Sequence, residues 1–294
     1  MIKMRNLYGV IDIGSNSVRL MVTDGVDVFD KMSVTTRLAE GIKDGALCVN
    51  SIERTAEAVA FLKGTAKVRG VKEVYAFATA AVRNSNNGDE FCKKVKELCG
   101  VEIDVISGET EAKIGYVGAL NGLDGGLIDV GGASSEITVV EGGKPIYVKS
   151  LDLGAVKIKD ACGQDRGSAE KLIENKLKEY GNVPVATFYA VGGTATTVAA
   201  ILQSLEVYEP KKVQGYFVKT FELKKLADKL YSMSVEQRKT LKGLQPQRAE
   251  IIAGGVLLLL KILEMIGANG YYASEKDNLE GYFTEKVMKS EKKN

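Results

Sequence analysis

The 294-residue chain contains no histidine. That absence removes Ser-His-Asp and Cys-His hydrolases, phosphohistidine intermediates and His-ligated zinc. Acid–base chemistry must come from carboxylates, lysine, tyrosine or cysteine. Other phosphate-enzyme signatures are missing too: there is no GxxxxGK[ST] loop and no GxSxG elbow, and Cys162 and Arg166 stand too close for a Cys-x5-Arg loop. The four cysteines, Cys48, Cys92, Cys99 and Cys162, form no CxxC pair and follow no secretory leader. They read as reduced, mostly buried thiols of a cytoplasmic protein. Nor is there a strong net field, with Lys+Arg 40 against Asp+Glu 38. No partnership with nucleic acid or a membrane surface is therefore expected. The longest apolar run, Ile251 to Leu260, is broken by Lys261 and is too short to span a bilayer, so it reads as a buried core helix. The charged tail from Lys286 to Asn294 is expected to fray.

What remains is ordinary globular composition, 45% hydrophobic and 27% charged, at a length that suggests two domains. Two segments resemble each other. Residues 11–22 read IDIGSNSVRLMV and residues 128–139 read IDVGGASSEITV. Aligned without a gap, Asp12 falls on Asp129, Gly14 on Gly131, Ser17 on Ser134 and Arg19 on Glu136. Each is an apolar strand ending in Asp, a small-residue turn and a second strand. Duplication of a domain core explains this better than chance.

Around the two hairpins the pattern alternates. Asn50 and Glu53 make a capping box for a helix to about Arg69. A strand over Val74 to Thr79, a helix over Asp89 to Leu98, a strand over Glu102 to Ile106 and a helix from about Glu109 to Leu120 follow. The second half offers strands near 126–130, 135–140 and 145–151, a helix at 169–179, a strand over Phe188 to Val191 and a helix from Gly192-Gly193-Thr194 to about Gln203. Strands alternating with helices predict two α/β lobes, each a sheet covered by helices. The domain reading is 1–121 and 122–294, with a hinge over Leu120 to Gly126 and the last helix, about 281–294, packing back on the first lobe.

Three glycine-containing turns suit phosphate, because successive backbone N–H groups in such turns form anion-binding concavities. Ser15, Asn16, Gly132, Ala133 and Ser134 let a ligand approach closely, and Gly192-Gly193-Thr194 sits at a strand-to-helix junction where helix N-terminal amides favour phosphate. Asp12 and Asp129 each end a strand at its turn, where a carboxylate either caps the turn or holds a divalent cation. Glu136 occupies the repeat position of Arg19, so one hairpin offers an anion where the other offers a phosphate-gripping guanidinium. Glu111 lies in the first turn of its helix, either as a dipole-favoured residue or as a base for water.

The segments YGVIDIGSNSVRLMV (8–22), FATAAVRNSNN (77–87), VISGETEAKIGYVGAL (105–120), GLIDVGGASSEITVV (126–140), LDLGAVKIKD (151–160) and YAVGGTATTVAA (189–200) resemble the exopolyphosphatase / guanosine pentaphosphate phosphohydrolase family, in its order and at about its spacing. The resemblance runs from Tyr8 to about Gly281. It implies two ribonuclease-H-like lobes of the actin, sugar-kinase and heat-shock-chaperone superfamily, mixed sheets flanked by helices, with a catalytic cleft between them. It implies Glu111 as the residue activating water, Asp129 and Glu136 as catalytic and metal-linked, and Asp12 as a further metal contact. Gly14, Ser15, Asn16, Arg19, Arg83, Gly131, Gly132, Ser134, Gly192, Gly193 and Thr194 are implied for phosphate. The cofactor implied is Mg²⁺, or Mn²⁺.

Three departures accompany the resemblance. Ala133 stands where the family has a third glycine, Leu279 stands where a phosphate-binding arginine is expected, and the helical domain of longer members is not in this sequence, so threading of very long polyphosphate is not expected. The function expected is Mg²⁺-dependent removal of the terminal phosphate of inorganic polyphosphate, with guanosine pentaphosphate as the alternative substrate. A kinase of the same superfamily and a non-hydrolytic alarmone- or nucleotide-binding regulator are the rivals. Oligomeric state is left open, a homodimer included.

Overall fold

The computed structural model describes residues 6–288. It divides into two compact units, one taking the chain up to Ile114 together with residues from Asn278 onward, the other spanning Gly115–Asp277. The division falls inside a helix, upstream of the 121/122 boundary expected from the glycine-rich segment. Much of the expected last helix, and most of the tail expected to fray, lies outside the described residues.

The first unit opens with an antiparallel meander of β1 (Tyr8–Ile13), β2 (Ser17–Thr23) and β3 (Val28–Thr35). Helix α1 (Val49–Val68) leads to β4 (Glu73–Ala78), which lies parallel to β1. Then come α2 (Ala80–Arg83), α3 (Gly88–Cys99), β5 (Ile103–Val105) parallel to β4, and α4 (Gly108–Leu120). Among the described residues the sheet order is β3-β2-β1-β4-β5, the ribonuclease-H-like plan. Val10, Ile11 and Ile13 on β1 are all fully buried, as an apolar central strand covered on both faces requires.

The second unit repeats the plan. β6 (Gly125–Val130), β7 (Ser135–Glu141) and β8 (Lys144–Leu151) form the meander, followed by α5 (Ala155–Cys162) and α6 (Arg166–Leu177). β9 (Phe188–Val191) lies parallel to β6 and runs straight into α7 (Gly192–Leu202). α8 (Pro210–Val213), β10 (Phe217–Lys219), α9 (Thr220–Ser232), α10 (Val235–Lys239), α11 (Ile252–Ile266) and β11 (Gly270–Ala273) complete it, in the order β10-β11-β9-β6-β7-β8. The apolar run at 251–260 is, as expected, core: residues 252 to 260 of α11 are all buried, and no described helix is long and apolar enough to cross a membrane. The chain then returns to the first unit as α12 (Asn278–Tyr282) and a π-helical turn, Phe283–Met288.

The duplication is geometric as well as sequential. Asp12 pairs with Arg19 across β1 and β2, and Asp129 with Glu136 across β6 and β7. Gly14 N donates to Ser17 O at 3.0 Å, and Gly131 N to Ser134 O at 3.0 Å. Each turn then receives the chain that follows its third strand: Ala39 N donates to Ser15 O at 2.9 Å and Val156 N to Gly132 O at 2.8 Å.

Two local expectations changed. Helix α1 begins at Val49 with Cys48 at its N-cap and no side-chain cap, so the Asn50–Glu53 box does not form. A tertiary clamp sets its entry instead: Leu47 N donates to Asn87 Oδ1 at 2.8 Å and Asn87 Nδ2 donates to Leu47 O at 3.1 Å. The four cysteines are free, but half-buried rather than buried.

One close approach ties the returning chain to the helix that carries Glu111. A Cβ on Gly281 would overlap the Ile114 carbonyl of α4. Gly281→Ala is expected to lower stability by about 1–3 kcal/mol, the usual cost of overpacking, measured as a lower urea midpoint at unchanged slope.

Candidate active site

In the first unit, Glu111 is the centre. Ser107 caps α4, its Oγ accepting from Thr110 N at 3.1 Å. This puts Glu111 in the first turn, where the helix dipole favours a carboxylate. Its side chain turns inward and the residue is only 8% exposed. Arg83, at the end of the short α2, donates from Nη1 to Glu111 Oε2 at 2.8 Å and to Ile106 O at 3.0 Å. Burial raises the Glu111 carboxyl above its ordinary 4.5; Arg83 opposes the rise, the nearby Asp12 charge adds to it, and the Thr79 hydroxyl bond lowers it.

The first hairpin lies against this group. Arg19 grips Asp12 Oδ2 through Nε at 3.1 Å and through Nη2. Cross-strand partners share a face of the sheet, so the register that pairs the two backbones also pairs the charges. Ser15 and Asn16 are buried in the turn, and both polar atoms of the Asn16 amide lack a hydrogen-bond partner among the described residues. An unsatisfied buried amide is costly, and a phosphate oxygen is the kind of acceptor its Nδ2 donor needs.

The second hairpin carries the opposite electrostatics. Glu136 replaces the arginine, so two carboxylates, Asp129 and Glu136, stand directly opposite each other. Like charges in that position destabilise a sheet unless something offsets them. Ser150 Oγ donates to Glu136 Oε1 at 2.7 Å, which shares a proton but supplies no charge. Two carboxylates beside a phosphate-type turn fit a divalent cation, which Mg²⁺ chemistry holds through one or two carboxylates plus phosphate oxygens. Asp12 Oδ2 is held by Arg19. Among the described residues no three carboxylate or thiol side chains form a preformed metal cluster.

The third turn packs on the second hairpin. Gly192 has φ +80°, and a Cβ there would stand 2.7 Å from Asp129 Oδ1. Gly193 lies beneath the Arg248 guanidinium so closely that any side chain would displace it. Thr194, by contrast, turns inward and donates to Val130 O at 3.3 Å, and Ser134 and Ala133 are both buried. Structure therefore brings Asp12, Arg19, Arg83 and Glu111 together in the first unit, and Asp129, Glu136, Gly131, Gly132, Gly192 and Gly193 in the second.

Sequence reasoning missed Thr79 and Arg248. Thr79 lay unremarked inside the FATAAVR segment. For Arg248 the available signal was an arginine in a turn just before a core helix. Leu279, which stands where the resemblance expects a phosphate-binding arginine, is 1% exposed in a core cluster with Val10, Phe77 and Ile114.

Residues 17–290 match the model of the Ppx/GppA phosphatase family. The chain belongs to the Ppx/GppA phosphatase family. It is 28% identical to exopolyphosphatase 2 of Mycobacterium tuberculosis, covering 92% of this chain and 95% of that protein. It is 30% identical to a bifunctional 3-dehydroquinate synthase/phosphatase of Fusobacterium nucleatum, covering 96% of this chain but 46% of that protein. It is 27% identical to a guanosine-5'-triphosphate,3'-diphosphate pyrophosphatase of Vibrio cholerae, covering 88% of this chain and 55% of that protein. The chain thus spans about half the length of two of these relatives and nearly all of the third. Among solved structures, the Aquifex aeolicus Ppx/GppA member superposes with a TM-score of 0.79 at 29% identity, over 97% of this chain and 98% of that one. An exopolyphosphatase from Cytophaga hutchinsonii, at 21% identity, shares the fold with a TM-score of 0.85 over 95% and 97% of the two chains.

The raised Glu111 carboxyl has a sign that stability measurements can read. Folding favours its protonated form, so its contribution is complete below pH 4.5 and is lost as pH rises through the higher folded value. Glutamine does not titrate. The stability of Glu111→Gln relative to wild type should therefore shift in the variant's favour across that window, followed by urea unfolding at successive pH values. A pH-independent difference would show that Glu111 titrates normally.

Proposed function

We propose that this family member hydrolyses the terminal phosphoanhydride of inorganic polyphosphate, releasing orthophosphate, with a divalent cation, Mg²⁺ or Mn²⁺. The observation that carries the reading is Glu111: an ionisable carboxylate driven into a buried position and kept there by Arg83 at 2.8 Å. Burial raises its proton affinity, which is what a general base for water needs near neutral pH.

The division of labour follows the two units. In the first, Glu111 orients the attacking water and accepts its proton as the oxygen bonds to the terminal phosphorus. Arg83 holds Glu111 in place, and Arg19, with Ser15 and Asn16 of the turn, binds equatorial phosphate oxygens. In the second, the amides of Gly131, Gly132 and the Gly192-Gly193 turn hold phosphate oxygens, with Arg248 above Gly193 as a further guanidinium. Asp129 and Glu136 would hold the cation, which when bound neutralises charge developing on the phosphoryl oxygens. The P–O bridge bond breaks and the shortened chain leaves as an oxyanion. Positioning and charge neutralisation suffice for phosphoryl transfer, so the lack of histidine is no obstacle.

Guanosine pentaphosphate is the second reading, favoured by the relative from Vibrio cholerae named for that type of substrate. The near-full-length match to the exopolyphosphatase of M. tuberculosis favours polyphosphate.

Phosphate release from polyphosphates of defined length, and from guanosine pentaphosphate, tests both readings with and without Mg²⁺. Glu111→Gln is expected to lower kcat by about 10²–10⁴-fold, the usual share of a general base, with KM little changed. Full turnover in that variant would remove Glu111 as the base. Ligand binding without any phosphate release by wild type would make the protein a binder instead of a hydrolase.

A further inference from the structure

We propose that the first unit carries a second oligophosphate-binding site, built from Lys63, Lys67 and Lys72. These lysines line a cavity of about 740 Å³ with the start of β4 and with β5. That volume lies in the range of small-molecule sites. Lys63 and Lys67 are one helical turn apart on α1, and Lys72 follows in the loop into β4.

The charge balance in this cavity is uneven. Its acidic residues are already matched: Glu102 pairs with Lys96 at 2.7 Å, and Asp104 with Lys286 at 3.4 Å and the Tyr282 hydroxyl at 3.2 Å. The three lysines have no carboxylate among the described residues. Lys63 Nζ donates to Cys99 O at 2.5 Å and Lys72 Nζ to Asn6 Oδ1 at 2.7 Å, both uncharged acceptors. The Lys67 ammonium has no partner at all among the described residues. Three like charges around one hollow favour a ligand that is compact and multiply anionic, and lysine serves phosphate as a point charge without demanding one geometry.

The site is separate from the Glu111 cluster. Glu111 bonds Thr79, just past the end of β4, whereas the cavity is lined by Val74 and Tyr75 near its beginning. Val74 to Thr79 in extended conformation spans roughly 16 Å. The triphosphate group is the shared chemistry of a free oligophosphate and of a nucleoside triphosphate, and either source fits the lysines.

Calorimetric titration of the full chain with tripolyphosphate, in the Glu111→Gln background to suppress turnover, counts bound equivalents. Lys67→Gln with Lys72→Gln should remove one equivalent whatever happens at the catalytic groups, from two to one if those also bind, from one to none if they do not. Lys63 is kept in this variant because it closes the C-terminal end of α3. The remaining comparison is with ATP: competition at the lost equivalent assigns a nucleotide, and tripolyphosphate alone assigns the inorganic chain. An unchanged number of equivalents in the double variant, with an unchanged urea midpoint, overturns the proposal.

Discussion

A carboxylate taken out of water needs a counter-charge, and in the first unit Arg83 supplies it to Glu111 at 2.8 Å. Much of the local architecture serves that pair. The short α2 exists to turn the chain after β4, and it ends at the arginine. Ser107 starts α4 at the point that sends Glu111 inward, and Gly281 lets the returning chain pack against the next turn of the same helix. Burial and the guanidinium act in opposite directions on the same proton, and burial is the larger of the two.

The two hairpins show how a duplicated framework diverges in charge. Their turns share the closing backbone bond and the amide that each accepts from the segment after its third strand. Yet one aspartate faces an arginine and the other faces a glutamate. The first arrangement pairs opposite charges. The second sets two carboxylates opposite each other, the arrangement proposed above to hold a cation.

The hairpins were legible in the sequence because everything they need is local. An aspartate at a strand end, a glycine two residues on and a charged residue at the facing register position recur at fixed spacing, and the strand period of two keeps them on one face. The strand Phe188–Val191 and the helix after it were legible for the same reason. The entry to α1 was not: Asn50 and Glu53 satisfied a local rule, but Asn87, 40 residues from Leu47, clamps the chain one step earlier. Leu279, which stands where the resemblance expects an arginine, shares a core cluster with Val10 and Phe77.

From residue order alone followed the exclusion of histidine chemistry, the paired turns and the family to which the chain belongs, because composition, spacing and strand alternation are properties of the chain itself. Only the folded molecule decided that Arg83 meets Glu111 across 28 residues, that Thr79 joins them, and that Arg248 lies over Gly193. Burial and charge neutralisation act through space, and the chain separation between such partners carries no signal of their contact.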